Sequence, residues 1–304
     1  MSDTLIVIAG PTAVGKSEVA IRVAEALRCD VVSADSRQVY REMLIGTAAP
    51  SDAYLVRVPH HLVRCRSVLS PLNAFDFEQS ALSILSDAFR RGGGVAVLAG
   101  GSMMYVDALC RGIDAMPDVP LALRDQLKSE LAERGLPFMV SRLQSIDPIY
   151  CRTADLRNPR RVLHALELCL VSGGPVSALR TGQPKPRPFR ILKFALVRSR
   201  EELYARIDSR VDQMIADGLE AEARSLLPLA HLPALQTVGY RELFSHFRGE
   251  IPINEAIRLI KRNTRHYAKK QLTWINADHD YSHLDPSSAT EKILQTLANP
   301  NPLP

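Results

Sequence analysis

At 304 residues, with 46% hydrophobic and 23% charged side chains, the chain can bury a sizeable core and is too apolar and too evenly mixed to be disordered or fibrous. No apolar run reaches membrane-spanning length, and the N-terminus enters a strand-like run with no basic, signal-type segment before it, so a cytoplasmic protein away from membranes is expected. The five cysteines, Cys29, Cys65, Cys110, Cys151 and Cys169, stand singly, without a CxxC pair or a disulfide-like framework, and are expected as buried reduced thiols.

The chain opens with the apolar run Leu5 to Ala9, then GPTAVGKS, then apolar side chains at Val19, Ala20, Val23, Ala24 and Leu27, the spacing of a helix's buried face. Gly10, Pro11, Thr12, Ala13, Val14, Gly15, Lys16 and Ser17 thus form a complete G-x-x-x-x-G-K-[ST] phosphate loop between a strand and a helix. In such a loop successive backbone N–H groups and the helix N-terminus point at phosphate oxygens. Lys16 adds a point charge, and Ser17 offers a hydroxyl to Mg²⁺. The motif specifies phosphate without saying which phosphate.

Two more strands are expected at Val31 to Ala34 and Val95 to Ala99, alternating with helical stretches, which is the pattern of an α/β fold: a phosphate-loop NTPase-like parallel sheet flanked by helices. Asp35 ends the first of them, where a doubly wound sheet opens its ligand crevice; it can hold metal, accept a proton or cap the following turn. His60 and His61 are adjacent strand residues facing opposite ways and make a poor metal pair. The strand VAVLAG runs into Gly101 and Ser102, not into the Asp with which phosphate-loop ATPases hold Mg²⁺, which counts against a motor or switch NTPase. The two glycines there allow either close ligand approach or tight helix packing.

From Ile113 to Phe189 the pattern is nearly all helical and ends in the Pro- and Gly-rich connector VSGGPVSALRTGQPKPRPFR, so a helical insertion at 113–189 is expected within a core of 1–112 plus 190–304. Between Arg152 and Arg198 ten Lys or Arg face two acids, Asp155 and Glu167. After a strand at Ile191 to Val197, a helix begins with the capping-box pair Ser199 and Glu202 and carries Leu203, Ile207, Val211 and Met214 at helical spacing. Arg210 sits at the edge of that apolar face, suited to an ion pair or a bound anion. Arg258 to Lys270 holds six cations and no acid, with Arg258, Arg262, Arg265 and Lys269 along one helix edge. Two such basic segments favour a polyanionic partner.

In order along the chain, GPTAVGKS, DSRQVY, IGTAAP, PHHL, AGGSMMY, NPRRVLHALE, RIDSRVDQM, TVGYRE and RHYAKKQLTW resemble the tRNA dimethylallyltransferases, also called tRNA isopentenyltransferases. The resemblance covers almost the whole sequence. It implies transfer of a dimethylallyl group from dimethylallyl diphosphate to N6 of the adenine 3′ of the anticodon, with Mg²⁺ as cofactor and tRNA as partner; a monomer is expected. By the same resemblance the phosphate loop, Gly10 to Ser17, holds diphosphate, and Asp35, Ser102 and Arg210 are catalytic. Asp35, Ser36, Arg37, Gln38, Ser102, Arg124, Arg160, Arg161, Thr237, Gly239, Tyr240 and Arg241 lie near the RNA, whose anticodon stem-loop the insertion contacts. The family usually has Thr where this chain has Ser102, and often Arg in place of His164.

Three other functions fit part of the pattern. A phosphate-loop small-molecule kinase would also place an Asp like Asp35, but has no use for a basic lobe. A nucleotide-gated RNA-binding protein would keep the cations without needing Asp35 or Arg210. A transferase acting on free adenylate needs no RNA-gripping insertion.

Overall fold

A computed structural model of the chain describes residues 3–91 and 93–298. The chain packs into two compact units, Met1–Cys110 with Pro186–Pro304, and Arg111–Lys185. In chain order the first unit contains β1 (Thr4–Ala9), α1 (Lys16–Leu27), β2 (Val31–Ala34), α2 (Asp52–Leu55), β3 (His60–His61), α3 (Ala74–Arg91), β4 (Val95–Gly100) and α4 (Met103–Arg111), which ends one residue past the unit. The second unit holds α5 (Leu121–Ile146), α6 (Pro148–Thr153), α7 (Pro159–Ser172) and α8 (Val176–Leu179). The chain returns through β5 (Arg190–Leu196), α9 (Arg200–Ala216), α10 (Leu219–Ser225), α11 (Tyr240–Phe247), α12 (Ile253–Asn276), β6 (Tyr281–Leu284) and α13 (Ala289–Ala298).

The six strands form one sheet in the order β3-β2-β4-β1-β5-β6, with every pairing parallel. All six β1 residues are buried, as an inner strand covered by helices on both faces requires. Because β2, β4 and β1 are neighbours, their C-terminal ends bring Asp35, Ser102 and Gly10 together although they lie far apart in sequence. Between sheet and helices, Ile6, Ile8, Val19, Val23, Val97, Leu196, Leu203 and Ile207 belong to one continuous core. Short edge strands β3 and β6 complete the sheet. His60 and His61 in β3 go separate ways: His60 Nδ1 meets the Val58 carbonyl, and His61 Nε2 meets Asp30 Oδ2, each at 2.8 Å.

The second unit has its own core around Leu127, Met139, Leu143, Val162, Leu166 and Val176. Buried Asp147 caps α6 through Tyr150 N–H and also accepts from Ser177 N–H and Oγ, tying α6 to α8. The unit closes where Lys185 N–H donates to the Arg111 carbonyl at 2.7 Å, several residues before the boundary expected at Phe189. The reason is physical: Arg187 is buried in the first unit, ion-paired to Glu78 and donating to the Ala108 and Leu109 carbonyls, and Phe189 packs on Phe89. The thiols depart from uniform burial: Cys29, Cys110 and Cys169 are buried, Cys151 is half-buried and Cys65 is exposed, all of them free. No helix among the described residues is long and apolar enough to cross a membrane.

Candidate active site

The phosphate loop leaves β1 and turns into α1 through Gly15, whose φ of +111° is open to glycine and closed to ordinary side chains. Its carbonyls are gripped by cations. Lys16 Nζ donates to Gly10 O (3.0 Å) and Pro11 O (2.8 Å), Arg206 Nε to Ala13 O (2.9 Å) and Arg198 Nε to Val14 O (3.0 Å). Covering the negative ends of these peptides leaves the loop a positive, anion-seeking surface. Burial, with Arg210 adding to it, pulls the Lys16 ammonium down to about 8, against the pull of Asp35. An arriving polyanion reverses that cost.

The opposite side of the loop is fixed by a residue of the RHYAKKQLTW segment to which the sequence alone assigns no role. Gln271 on α12, 3% exposed, accepts from Thr12 N–H through Oε1 and donates from Nε2 to the Gly101 carbonyl, both at 2.8 Å. A Cβ on Gly101 would sit 2.3 Å from Gln271 Nε2, so this glycine serves helix packing, and it also lines the cavity beside the loop. One amide side chain therefore clips the ends of β1 and β4 to the same helix.

Two cavities meet beside this clip. The first, of about 790 Å³, is lined by the phosphate loop, including Lys16 and Ser17, and by Gln38, Arg206, Ser209 and Gln213. The second, of about 360 Å³, is lined by Met103, Met104, Ile207, Val211, Met214, Leu219, Val238 and Ile260, with Ser36, Arg37 and Ser102. Thr12, Asp35, Thr47, Arg210 and Tyr267 line both. One chamber suits anionic oxygens, and the other suits an apolar group or a flat base.

Asp35 performs the turn-capping role as well as facing the cavities. Its Oδ1 accepts from Arg37 N–H (2.9 Å) and Gln38 N–H (3.2 Å), while Oδ2 makes no hydrogen bond among the described residues. The capping contact fixes the carboxylate's direction and leaves one oxygen for chemistry. Ser102 is anchored by its N–H to the Ala34 carbonyl at 3.0 Å, and its carbonyl starts α4. Its side chain makes no hydrogen bond among the described residues and lines the second cavity. Arg210 reaches from α9 to Thr12 Oγ1 at 3.5 Å, between the two chambers. The helix that carries it begins with only half of the expected capping box. Ser199 Oγ accepts from Glu202 N–H at 3.2 Å, but the Glu202 carboxylate turns to Arg198 instead.

Among the residues expected near RNA, Ser36, Arg37, Thr237 and Gly239 line the second cavity, and Gln38 the first. Gln38 Nε2 is committed to the Thr47 and Ala48 carbonyls. Arg241 lines a third hollow of about 280 Å³ with Asn263, His266, Tyr267 and Lys270. Tyr240 departs from expectation: it is fully buried, and its hydroxyl donates to Glu222 at 2.6 Å, so its side chain serves the fold. Glu222 in turn accepts from the N–H groups of Leu44, Ile45 and Gly46, shaping the IGTAAP turn that presents Thr47.

Arg124, Arg160 and Arg161 lie in the helical unit. Arg124 and His164 both face Glu167, at 3.8 and 3.3 Å. Arg160 and Arg161 are exposed at the start of α7, where Asn158 Oδ1 accepts from both of their N–H groups and Pro159 takes the first helical position. The basic segment expected on α12 is partly neutralised: Arg258 and Arg265 of its cationic edge pair with Glu255 and Asp208, and Lys261 beside them pairs with Asp212. Those last two partners lie on α9, beyond the reach of a helical wheel.

Residues 38–278 match the family model described as IPP transferase. The chain is 49% identical over 294 residues to tRNA dimethylallyltransferase 1 of Bacteroides thetaiotaomicron, covering 97% of this chain and 95% of that one. It is 44% identical over 301 residues to tRNA dimethylallyltransferase 1 of Phocaeicola vulgatus, covering 99% and 100%. Among solved structures, the tRNA isopentenylpyrophosphate transferase of Bacillus halodurans superposes with a TM-score of 0.72 at 32% identity, over 97% of this chain and 96% of that one. A eukaryotic dimethylallyltransferase acting on tRNA shares the fold at a TM-score of 0.82 and 23% identity, over 99% and 81%. With a family match across most of its length and relatives this similar end to end, the chain belongs to the IPP transferase family.

Proposed function

We propose that this protein is a tRNA dimethylallyltransferase. It transfers the dimethylallyl group of dimethylallyl diphosphate to N6 of the adenine 3′-adjacent to the anticodon, leaving N6-isopentenyladenosine in tRNA and releasing diphosphate. The observation that carries this assignment is the meeting of a phosphate-loop chamber and an apolar chamber at Asp35 and Arg210. A donor with a diphosphate head fits the first, and a base taken out of the RNA stack, at a cost of a few kcal/mol, fits the second.

In this assignment the residues of the loop, Gly10 to Ser17, bind the diphosphate, with Lys16 supplying charge. Arg210 meets the negative charge that grows on the departing diphosphate, largest in a loose transition state. Asp35, held by its turn, takes the N6 proton through Oδ2, which helps because that nitrogen's lone pair is delocalised into the purine. Ser102 offers its free hydroxyl to the base or the donor. Ser36, Arg37, Thr237, Gly239 and Arg241 border the RNA, and the helical unit, with Arg160 and Arg161, tracks anticodon-stem phosphates while unstacked loop bases supply specificity.

Mg²⁺ fits as a companion of the diphosphate. Among the described residues no group of three His, Cys, Asp or Glu gathers as a ligand set. Ser17 in the first cavity supplies one hard oxygen ligand, and Mg²⁺ is commonly bound by few protein oxygens together with substrate phosphates. Bound there, it would neutralise charge on the leaving group. The protein is taken to act as a cytoplasmic monomer. Incubation with unmodified tRNA and labelled dimethylallyl diphosphate should label the tRNA. Label on free AMP alone, or ATP consumption without prenylation, would replace this function with one of its rivals.

A further inference from the structure

Tyr267 lines the phosphate chamber, the apolar chamber and the third hollow, and among the residues lining those three it is the one common to all. It lies on the face of α12 that also carries Thr264 towards the apolar chamber and Gln271 to the loop clip. Its ring is 39% exposed, and among the described residues the ring stacks on no other ring and the hydroxyl makes no hydrogen bond. The phenol's ionisation is pushed up to about 12 by burial and by the nearby Asp35 charge, so at neutral pH the ring is uncharged.

The neighbours of Tyr267 at the junction sharpen what that ring can do. Thr47 is occupied donating to the Met43 carbonyl, Thr12 faces Arg210, Arg210 is a cation and Asp35 is the base. On the proposed reading as a dimethylallyltransferase, on which this inference rests, the reacting carbon of the donor must sit at this junction. There the C1–O bond breaks with its electron pair going to diphosphate, and the C1–N6 bond forms from the N6 pair as the N6 proton passes to Asp35. While the first bond is ahead of the second, the allylic carbons carry positive charge. A π face attracts that charge without capturing it, as water or a free hydroxyl would.

We propose that the Tyr267 ring is the wall that stabilises this developing allylic cation and keeps water from taking the place of the adenine. The alternative fate is balanced too: a water oxygen forms the C1–O bond, loses a proton, and dimethylallyl alcohol leaves with diphosphate.

The test begins with the wild-type protein labelling tRNA from dimethylallyl diphosphate; if it does not, the proposed function fails, not the role of the ring. Phenylalanine, then mono-, di- and trifluorinated phenylalanine are placed at position 267, weakening the ring's negative face stepwise with little change of shape. Single-turnover transfer rates at saturating donor and tRNA should fall stepwise, ending about ten- to thirtyfold below the Phe form, the range a desolvated cation–π contact supports. Affinity for tRNA and for an unreactive thiolo-diphosphate analogue of the donor should stay within about twofold, and dimethylallyl alcohol should rise as a fraction of product. Equal rates across the series would overturn the proposal. So would losses that track tRNA affinity, which would make the ring a stacking platform for the base. Tyr267→Leu, carrying an apolar side chain with no π face, should fall at or below the trifluorinated form, and a Leu rate matching Phe would also overturn it.

Discussion

The two units use their cations in opposite ways. In the sheet unit, Lys16, Arg198 and Arg206 are hydrogen-bonded to phosphate-loop carbonyls, and Arg210 reaches Thr12 between the chambers, so positive charge is fixed in place before any ligand arrives. In the helical unit, Arg152, Arg160 and Arg161 are exposed and pair with no acid among the described residues. Preorganised charge lowers a barrier because nothing must reorganise as the transition state forms. Exposed charge gathers a flexible polyanion and is screened by salt. Damage to the first unit should therefore appear in turnover, and damage to the second in affinity.

The largest effect should come from Asp35. Asp35→Asn keeps an acceptor for the Arg37 and Gln38 N–H groups and removes the charge, so turnover should fall about 10²–10⁴-fold while tRNA affinity and the thermal midpoint stay close to wild type. Asp35→Ala loses the cap as well and should cost about 1 kcal/mol of stability besides. An Asn variant that turns over like wild type would reduce Asp35 to a turn cap. Next, Arg210→Ala should lower turnover about 10²–10³-fold, measured as the single-turnover rate at saturating substrates. A change confined to KM would instead make Arg210 a ground-state binding group.

Lys16 tests preorganisation through pH. Its ammonium sits at about 8 in the free protein, and a bound diphosphate favours the charged form, so above that pH binding takes up a proton. Affinity for dimethylallyl diphosphate should be flat below pH 8 and weaken towards tenfold per unit above it. Lys16→Arg, charged throughout, should bind without that slope, once the donor's own titration is subtracted. The same depression makes the charged Lys16 a burden on folding below pH 8, which is relieved as pH rises from about 8 towards 10.5.

The sheet, the phosphate loop and the strand ends that carry Asp35 and Ser102 were legible in the sequence because each is local. β1 is an apolar run after Thr4, the loop has fixed spacing, and Asp35 directly follows one strand-like segment while Ser102 lies two residues past another. What sequence reading missed is held by contacts distant along the chain. Gln271 joins residues 259 and 170 positions away, Glu222 folds a turn 176 positions before it, and Arg206 reaches back to Ala13. None of these has a spacing that marks it. Charge counting overstated the free basic surface for the same reason: Arg187 is paired with Glu78 and Lys193 with Asp278 in the interior, and Arg265 is paired with Asp208. The edge strand β6 was too short to show a period of its own.

The smallest predicted effect tests the other half of the contrast. NPRR reads as a helix start, and its cap leaves the side chains of Arg160 and Arg161 uncommitted. If both meet phosphates, replacing them with alanine should weaken tRNA binding several-fold at moderate salt and reduce the slope of log affinity against log salt by about 1.4–1.8, the counterion release of two phosphate contacts. The rate at saturating tRNA should move by less than about twofold, because neither residue belongs to the unit that carries the phosphate loop. An unchanged slope would remove them from the phosphate contacts. A fall in saturated rate as large as that of Arg210→Ala would erase the division between a unit that reacts and a unit that grips.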